Sequence, residues 1–529
     1  MINKDKIFLK LKNIPWIWWI LAGIIVMGIF LRTWHFHDWL RFNADQGRDA
    51  IVISDAVDGK GAWPLLGPKA GGTQFRLGPA FYWIGITSAK IFGNAPEKMA
   101  YPDLFASILA IPLLFFFLEK YFGKKTALSL TAVFSVSAYA IFYSRFAWNP
   151  NSLPFWTLLA LYALNEVFSE KSNRKYLWAA LAGAAIGIDV QLHTTMLVVF
   201  PITVLVLFAY FIFRNKKYAK YFLVIVAVAL FFNIPQILNE HQTGGKNTSA
   251  FFKGLKTKSA VEETASENAL RGGNCLIQSS VYMISGYEIS DTCNFSPGEN
   301  RADTVVFFSG LLFVVGGIFL GGKKFLVEKG EEKRVFLGII AIFLAVTLVV
   351  FWKMAQELSV RFYLPLIFFP FLLLGLWFDF LKEKFKFFRK YAIIFIFLLL
   401  LVVSNLYFAQ KYFMAFADYG RPGGGSVEVM TLKEIEIFSR FIAENSKGEE
   451  KAYIDGNQQF LHKAYTPLKY LVGRSGVKLS LLRKASAPPA RYFDVVSLKK
   501  FEKSSAGSGE RILGHADYGN FVIMFVEKI

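Results

Sequence analysis

The chain has 529 residues, 54% of them hydrophobic, 17% aromatic and only 19% charged. A mean hydropathy of +0.40 goes with apolar runs too long for an ordinary soluble core, so lipid is the expected solvent. The net charge of +20 would raise nucleic acid as a partner in a soluble protein. Here the basic residues fall in short clusters between apolar runs, where they read as topology signals and contacts to lipid headgroups, and nucleic acid is not an expected partner.

At about 20 apolar residues per span, eleven spans are expected: 14–33, 99–118, 126–143, 153–169, 176–190, 194–213, 218–237, 304–321, 335–353, 362–378 and 391–408. The first follows a lysine-rich start (Lys4, Lys6, Lys10, Lys12) and is long enough to stay as an anchor. Leu77–Gly93 is apolar but opens on Gly-Pro and carries Lys90. It reads as an interfacial or re-entrant helix, because counting it as a span would invert every later loop. Basic clusters then occupy every second connection: Lys120/Lys124/Lys125, Lys171/Arg174/Lys175, Arg214/Lys216/Lys217/Lys220, Lys323/Lys324/Lys333/Arg334 and Lys382/Lys384/Lys386/Arg389/Lys390. The positive-inside rule puts these in the cytoplasm and puts 34–98, 144–152, 191–193, 238–303, 354–361 and the tail from about 409 outside.

The first outer loop, 34–98, opens on FNADQGRDA (42–50). A carboxylate at the water-facing end of a span can take a proton from a hydroxyl, so Asp45 is the candidate general base; the alternative is an N-cap to a helix starting near Gln46. Arg48, Arg145 and Arg361 are candidate phosphate clamps, since a guanidinium offers a planar fork of donors; the alternative is snorkelling to headgroups. Lys353 is a weaker addition. His193 suits a phosphate or hydroxyl contact, or plain packing. Asp49, Asn149, Asn151 and Gln191, with Gln356 and Glu357, also fall on the outer side. Six histidines give no metal triad. Gly67-Pro68 and Gly78-Pro79, with Gly71-Gly72 between them, lack the context of a nucleotide loop and read as turns folding the loop back.

Outer loop 238–303 holds both cysteines, Cys275 and Cys293, which lack metal-ligand spacing. An oxidising compartment permits a disulfide between them; two free thiols are the alternative. After residue 409 the texture changes. RPGGGS (421–426) opens as a linker, a helical pattern covers Leu432–Asn445, and AYIDG (452–456) reads as a strand. A further helical run near Phe460–Leu471 precedes strand-like segments at 491–497, 510–516 and 520–527. The expected domains are therefore a helical membrane domain over 1–408 and a small extracytoplasmic α/β domain over 409–529, accessory by default.

Five blocks in this order resemble the GT-C fold, polyprenyl-phosphate-sugar-dependent glycosyltransferases, particularly bacterial relatives of the protein O-mannosyltransferases and the lipid A aminoarabinose transferase. They are FNADQGRDA (42–50), PLLGPKAGGTQFRLGPAFYW (64–83), FYSRFAWNPNSLPFW (142–156), IGIDVQLHTTMLVVFP (186–201) and RFYLPL (361–366). The resemblance covers roughly residues 14–380. It implies a polytopic α-helical fold with the catalytic base at Asp45 and donor-phosphate contacts at Arg48, Arg145, His193 and Arg361. The implied cavity is lined by Asp49, Asn149, Asn151, Gln191 and Tyr363. Many relatives carry a glutamate after that aspartate; here Gln46 stands there, which leaves a divalent cation open and no cofactor assigned.

The implied reaction is one inverting displacement that moves a sugar from a polyprenyl-phosphate-linked donor to a hydroxyl of an extracytoplasmic glycan, lipid or protein. Membrane lipids are the remaining partners, and the plasma (inner) membrane is the expected location. The competing class is a polytopic transporter or lipid flippase, which usually keeps ionisable groups near mid-bilayer and broken helices in matching halves. A scaffold that lacks catalysis is a third reading, with Gln46 as its one hint.

Overall fold

The structure, a computed structural model, describes residues 15–258, 264–385, 391–421, 430–487, 489–502 and 510–529. The N-terminal lysines, Lys386, Arg389, Lys390 and the Gly423–Gly425 linker lie outside the described residues. Six helices are long and apolar enough to cross a membrane: Trp16–Thr33, Pro96–Phe122, Thr194–Arg214, Arg301–Val327, Glu331–Lys353 and Ala392–Tyr419. Two bent pairs, Lys216–Phe232 with Ile234–Thr243 at 62° and Val360–Leu366 with Phe369–Lys384 at 64°, bring the number to eight. This is a multi-pass membrane protein.

The other three expected spans are helices of a different kind. Residues 126–143 break after Ser135 and resume at Ala138–Phe142. At the break the Ser135 carbonyl accepts from Arg32 (2.7 Å) and the Ser137 hydroxyl donates to the Met283 carbonyl (2.7 Å), so side chains replace helical partners. Leu153–Phe168 is only 16 residues long. Lys175–Leu192 carries buried Asp189, whose carboxylate accepts from Thr157 Oγ1 at 2.7 Å. Its Gly183 and Gly187 press on the backbone of Ile225 and Ala229, where a Cβ would lie 2.6 and 3.0 Å away. Such small-residue seams let lipid-embedded helices pack backbone to backbone. Helix Ala80–Phe92, within Leu77–Gly93, has 13 residues, about 20 Å of rise and too short to span.

Loop 238–303 is itself helical, with Lys246–Lys258 and Ala265–Ser285, and Cys275 is bonded to Cys293. The last span does not stop at 408 but runs on to Tyr419. Beyond it, helices Leu432–Asn445 and Gln458–Arg474 accompany a five-stranded sheet of order β2-β1-β3-β5-β4. The strands are β1 Lys451–Gly456, β2 Lys478–Leu481, β3 Arg491–Ser497, β4 Glu510–Tyr518 and β5 Phe521–Lys528. β1 pairs in parallel with β2 and β3, and β5 pairs antiparallel with β3 and β4. This domain rests on the membrane domain: Phe42 N donates to Met430 O (3.1 Å) and Leu432 N to Leu40 O (2.8 Å).

Candidate active site

Helix Ala44–Val57 carries the first group of charges. The Asn43 amide donates to Gln46 Oε1 (3.1 Å), and Gln46 Nε2 donates to the Ala147 carbonyl (3.2 Å). Both ends of the amide are used. A glutamate here would set an acceptor against the Ala147 carbonyl, so glutamine fits its surroundings. Arg48 donates through Nη1 to Asp45 Oδ1 (2.7 Å) and through Nε and Nη2 to the two oxygens of Asp49 (2.9 and 3.0 Å). Tyr82 adds a hydroxyl to Asp49 Oδ1 at 2.8 Å. Asp49 is 1% exposed. Burial raises its carboxyl, while Arg48 and Tyr82 pull the other way. Burial also works against the charge on Arg48, but the two carboxylates outweigh it and shift it upward.

The result is a fixed Asp49–Arg48–Asp45 chain ending on a carboxylate whose side chain is 60% exposed. Asp45 Oδ1 is anchored, and Oδ2 accepts no hydrogen bond from another described residue.

The residues of the other outer segments gather at the same end of the bundle. Asn149 Nδ2 donates to Leu192 O (2.6 Å), and the ring of His193 meets Phe362 edge-on at 5.3 Å. The exposed guanidinium of Arg361 lies 5.5 Å from the ring centroid of Trp148, two residues from Phe146. It makes no ion pair among the described residues.

Several expected roles need correction. Arg145 is 1% exposed. Its Nη1 donates to Arg32 O (2.8 Å) and its Nη2 to Trp34 O (2.7 Å), with longer contacts to the carbonyls of Leu31 and His35. It caps the carbonyl end of helix Trp16–Thr33 and is not placed to grip a phosphate. Arg48 spends three of its five N–H donors on the carboxylates of Asp45 and Asp49, so it also holds Asp45 in place. Asn151, Gln191 and Tyr363, expected to line a cavity, are buried and bonded to backbone. Asn151 donates to Phe146 O (2.7 Å) and Tyr363 to Gly272 O (2.9 Å). Gln191 donates to Gly187 O (2.7 Å) and Phe232 O (3.0 Å) while accepting from Ala80 N (3.2 Å). His193 caps helix Thr194–Arg214, its Nδ1 2.7 Å from Thr195 Oγ1.

Two arginines escaped the sequence reading. Arg41 stacks on Phe146 with its guanidinium 5.3 Å from the ring centroid. Arg76 stands on the folded-back Gly-Pro loop: its Nε donates to Gly67 O (2.8 Å), Asn247 brackets its backbone (2.8 and 2.9 Å), and its charge acts on Tyr82. Arg76 lies inside the block 64–83 and Arg41 immediately before the block 42–50, which was the signal available. Among the described residues no group of three or more His, Cys, Asp or Glu could hold a metal ion.

With this geometry in hand, the family described as dolichyl-phosphate-mannose-protein mannosyltransferase matches residues 77–238. No curated protein matches the chain by sequence. ArnT from Cupriavidus metallidurans bound to undecaprenyl phosphate superposes with a TM-score of 0.55 at 14% identity, covering 96% of this chain and 98% of that one. Apo ArnT gives 0.53 at 14% identity, with 96% and 97% covered. The fold is that of the GT-C glycosyltransferases. Within this chain, the family match contains Tyr82, Arg145, Asn149, Asn151, Gln191 and His193, while Asp45 and Arg361 lie on either side of it.

Proposed function

We propose that the protein moves a sugar from a polyprenyl-phosphate-linked donor to a hydroxyl of an acceptor outside the cytoplasm, in a single displacement with inversion. One observation carries this reading. Asp45 is held by one oxygen and open on the other, at the bundle end where Arg361 is exposed. In the reaction the acceptor oxygen forms its bond to the anomeric carbon as the bond from that carbon to the phosphate oxygen breaks. Asp45 takes the acceptor proton, and polyprenyl phosphate leaves with the bonding electron pair. Arg361 and Arg76 meet the growing phosphate charge, with His193 nearby. The ArnT structure with undecaprenyl phosphate supports an isoprenoid phosphate as carrier.

Two helices support an outward-facing site. In Pro96–Phe122, Asp103 accepts from the Trp148 amide (3.0 Å) at the site end, and Lys120 lies at the other end. Lys175–Leu192 starts on a lysine and ends at the site. The basic ends therefore face the cytoplasm and the site faces outward, in the plasma membrane. The C-terminal domain, seated on helix Ala44–Val57, acts in acceptor docking or as a lid. Of the acidic groups on these two helices, Glu97, Asp103 and Asp189 sit toward the site end and Glu119 at the opposite end, none at the helix middle, which favours the enzyme over a transporter.

The test is Asp45→Asn in proteoliposomes supplied with a polyprenyl-phosphate sugar. Transfer is expected to be lost while the protein stays folded and inserted; turnover at the wild-type rate would overturn the reading.

A further inference from the structure

The Gly-Pro loop that carries Arg76 is a short antiparallel ribbon. Gly67 N donates to Leu77 O (2.8 Å), Leu77 N to Pro68 O (3.0 Å) and Ala70 N to Phe75 O (2.9 Å), with Lys69 opposite Arg76. None of these bonds uses the N–H or C=O of Arg76, which point to the outer edge of the ribbon and need a partner there. That partner comes from 171 positions away. Asn247, 7% exposed, accepts from Arg76 N through Oδ1 (2.8 Å) and donates from Nδ2 to Arg76 O (2.9 Å). One side-chain amide does what one residue of a third strand would do, because it has the donor and acceptor of a peptide group.

Two further contacts lie on the same face of helix Lys246–Lys258. Phe251 meets Phe75 edge-on at 5.1 Å, and a Cβ on Gly254 would lie 3.0 Å from Thr73 Cγ2. The i, i+4, i+7 spacing keeps all three residues on one side of the helix. Its start is fixed as well: Gly244 takes φ 64°, and Thr248 N donates to Glu240 Oε2 (3.2 Å). At its other end the ribbon reaches the site. A Cβ on Gly78 would lie 2.3 Å from Gln191 Cγ, and Ala80 N donates to Gln191 Oε1 (3.2 Å), with His193 just beyond. Tyr82, in the helix that begins at Ala80, donates to Asp49 of the Asp49–Arg48–Asp45 chain (2.8 Å).

How an arginine is held decides what it can still bind. Arg48 is held by two carboxylates, which offset its charge. Arg76 is held by neutral groups, Asn247 on its backbone and the Gly67 carbonyl on Nε (2.8 Å). It makes no ion pair among the described residues, and its Nη1 and Nη2 make no hydrogen bond with them. The helix that clamps it has no acidic residue over Lys246–Lys258. Position is therefore fixed while the charge and two nitrogens stay available to an anion. We propose that Asn247 is a positioning residue for the donor site: by clamping the Arg76 backbone with a neutral amide, it fixes a guanidinium for the carrier phosphate without neutralising it. The proposal rests on the glycosyl-transfer reading and adds to it a residue of loop 238–303 that acts through Arg76.

The experiment measures binding of undecaprenyl phosphate to the full chain in nanodiscs for wild type, Asn247→Ala, Arg76→Ala and the double variant, with Tm as the check on folding. Arg76→Ala is expected to weaken binding about tenfold, the equivalent of one charge-assisted hydrogen bond. Asn247→Ala should weaken it about fivefold, since the guanidinium remains but is no longer held. The double variant should match Arg76→Ala alone, because the clamp has nothing to position once the guanidinium is gone. Asn247→Asp keeps the size and the acceptor but sets a carboxylate beside Arg76, so it should weaken binding at least as much as Asn247→Ala. If the two single losses multiply to about fiftyfold in the double variant, Asn247 acts through general packing and the proposal is overturned. An Asn247→Ala chain that binds like wild type overturns it too, leaving Arg76 at the phosphate. Should Asn247→Ala not fold, Asn247→Asp decides, and wild-type affinity there overturns the proposal. Unchanged binding in Arg76→Ala removes Arg76 from the phosphate, and Asn247 with it. A wild-type chain that does not bind the carrier sinks the transfer reading itself.

Discussion

Arg145 and Arg361 lie at the same end of the bundle, in segments that look alike in sequence, and their surroundings make them opposites. Arg145 is enclosed and spends its nitrogens on the carbonyls that end helix Trp16–Thr33. Arg361 is exposed, leans on the ring of Trp148 and pairs with no described carboxylate. The carboxylates repeat the pattern. Glu434 is buried with its Oε2 accepting from Tyr419 (2.6 Å), whereas Asp45 keeps an oxygen open to solvent. Charge type alone therefore says little about role. What decides is whether neighbouring backbone and side chains have already claimed the group's hydrogen-bonding capacity.

The largest expected effect tests the closed half of the comparison. Arg145→Ala leaves several buried carbonyls without a donor and opens a void beside Phe36 and Phe413, whose ring centroids lie 5.8 and 5.1 Å from the guanidinium. Buried acceptors stripped of partners cost about 1–3 kcal/mol each, so a loss of about 3 kcal/mol or more is expected. It is read as a fall in Tm and in the yield of folded protein in detergent. A stable Arg145→Ala variant that bound donor poorly would return Arg145 to the phosphate.

Glu434 gives the second test, in pH. Burial raises its carboxyl to about 8, against the opposing effect of hydrogen bonds from Tyr419 and the Thr431 backbone; an unfolded chain would ionise it near 4.3. The folded state thus holds a proton that the unfolded state gives up across this window. Stability from this group is complete below about pH 4.5 and declines as pH rises toward 8. Glu434→Gln should flatten the fall, by on the order of 2 kcal/mol between pH 5 and 8. Parallel pH profiles of Tm for the two chains would show instead that Glu434 is not a buried acid.

Much of this was legible from residue order. Apolar runs gave the long spans. The alternation of basic loops put Asp45, His193 and Arg361 on one side, and the structure brings them to one end. Segments 432–445 and 491–497 fall where Leu432–Asn445 and β3 form. The roles of Arg145, Gln191 and Asn151 were not legible, because each depends on a carbonyl that only the tertiary fold brings near. Arg145 meets a helix end more than 100 positions earlier in the chain. Strand β2 was missed because four residues, KLSL, are too few for a periodic signal. That the helices at 124–135 and 153–168 are shorter than the runs expected there was not legible, because an apolar run does not show where tertiary contacts will end a helix.

Helix Ala44–Val57 contains both halves of the contrast, since Asp45 faces out while Gly47 faces the C-terminal domain. A Cβ on Gly47 would fall 2.6 Å from the backbone nitrogen and 2.9 Å from the Cα of Pro467, atoms that cannot swing away. Gly47→Ala should cost about 1–3 kcal/mol of overpacking. The strain falls at the joint between helix Gln458–Arg474 and the turn that carries Asp45. Faster proteolytic release of the C-terminal domain together with a lower kcat is the expected readout. Release without any change in kcat would separate the domain from the chemistry.

The smallest effect tests the open half. Arg361→Ala removes an exposed side chain with no described ion pair, so Tm should move by the equivalent of no more than about 0.5 kcal/mol. If the guanidinium meets the donor phosphate, apparent donor KM should rise about tenfold, the equivalent of one charge-assisted hydrogen bond. Arg361→Lys should recover part of that, because an ammonium keeps the charge but loses the fork and the flat contact with Trp148. Recovery to the wild-type KM would mean that only charge matters at this position. A large drop in Tm for Arg361→Ala would put Arg361 in the same class as Arg145, and the distinction between the two arginines would fail.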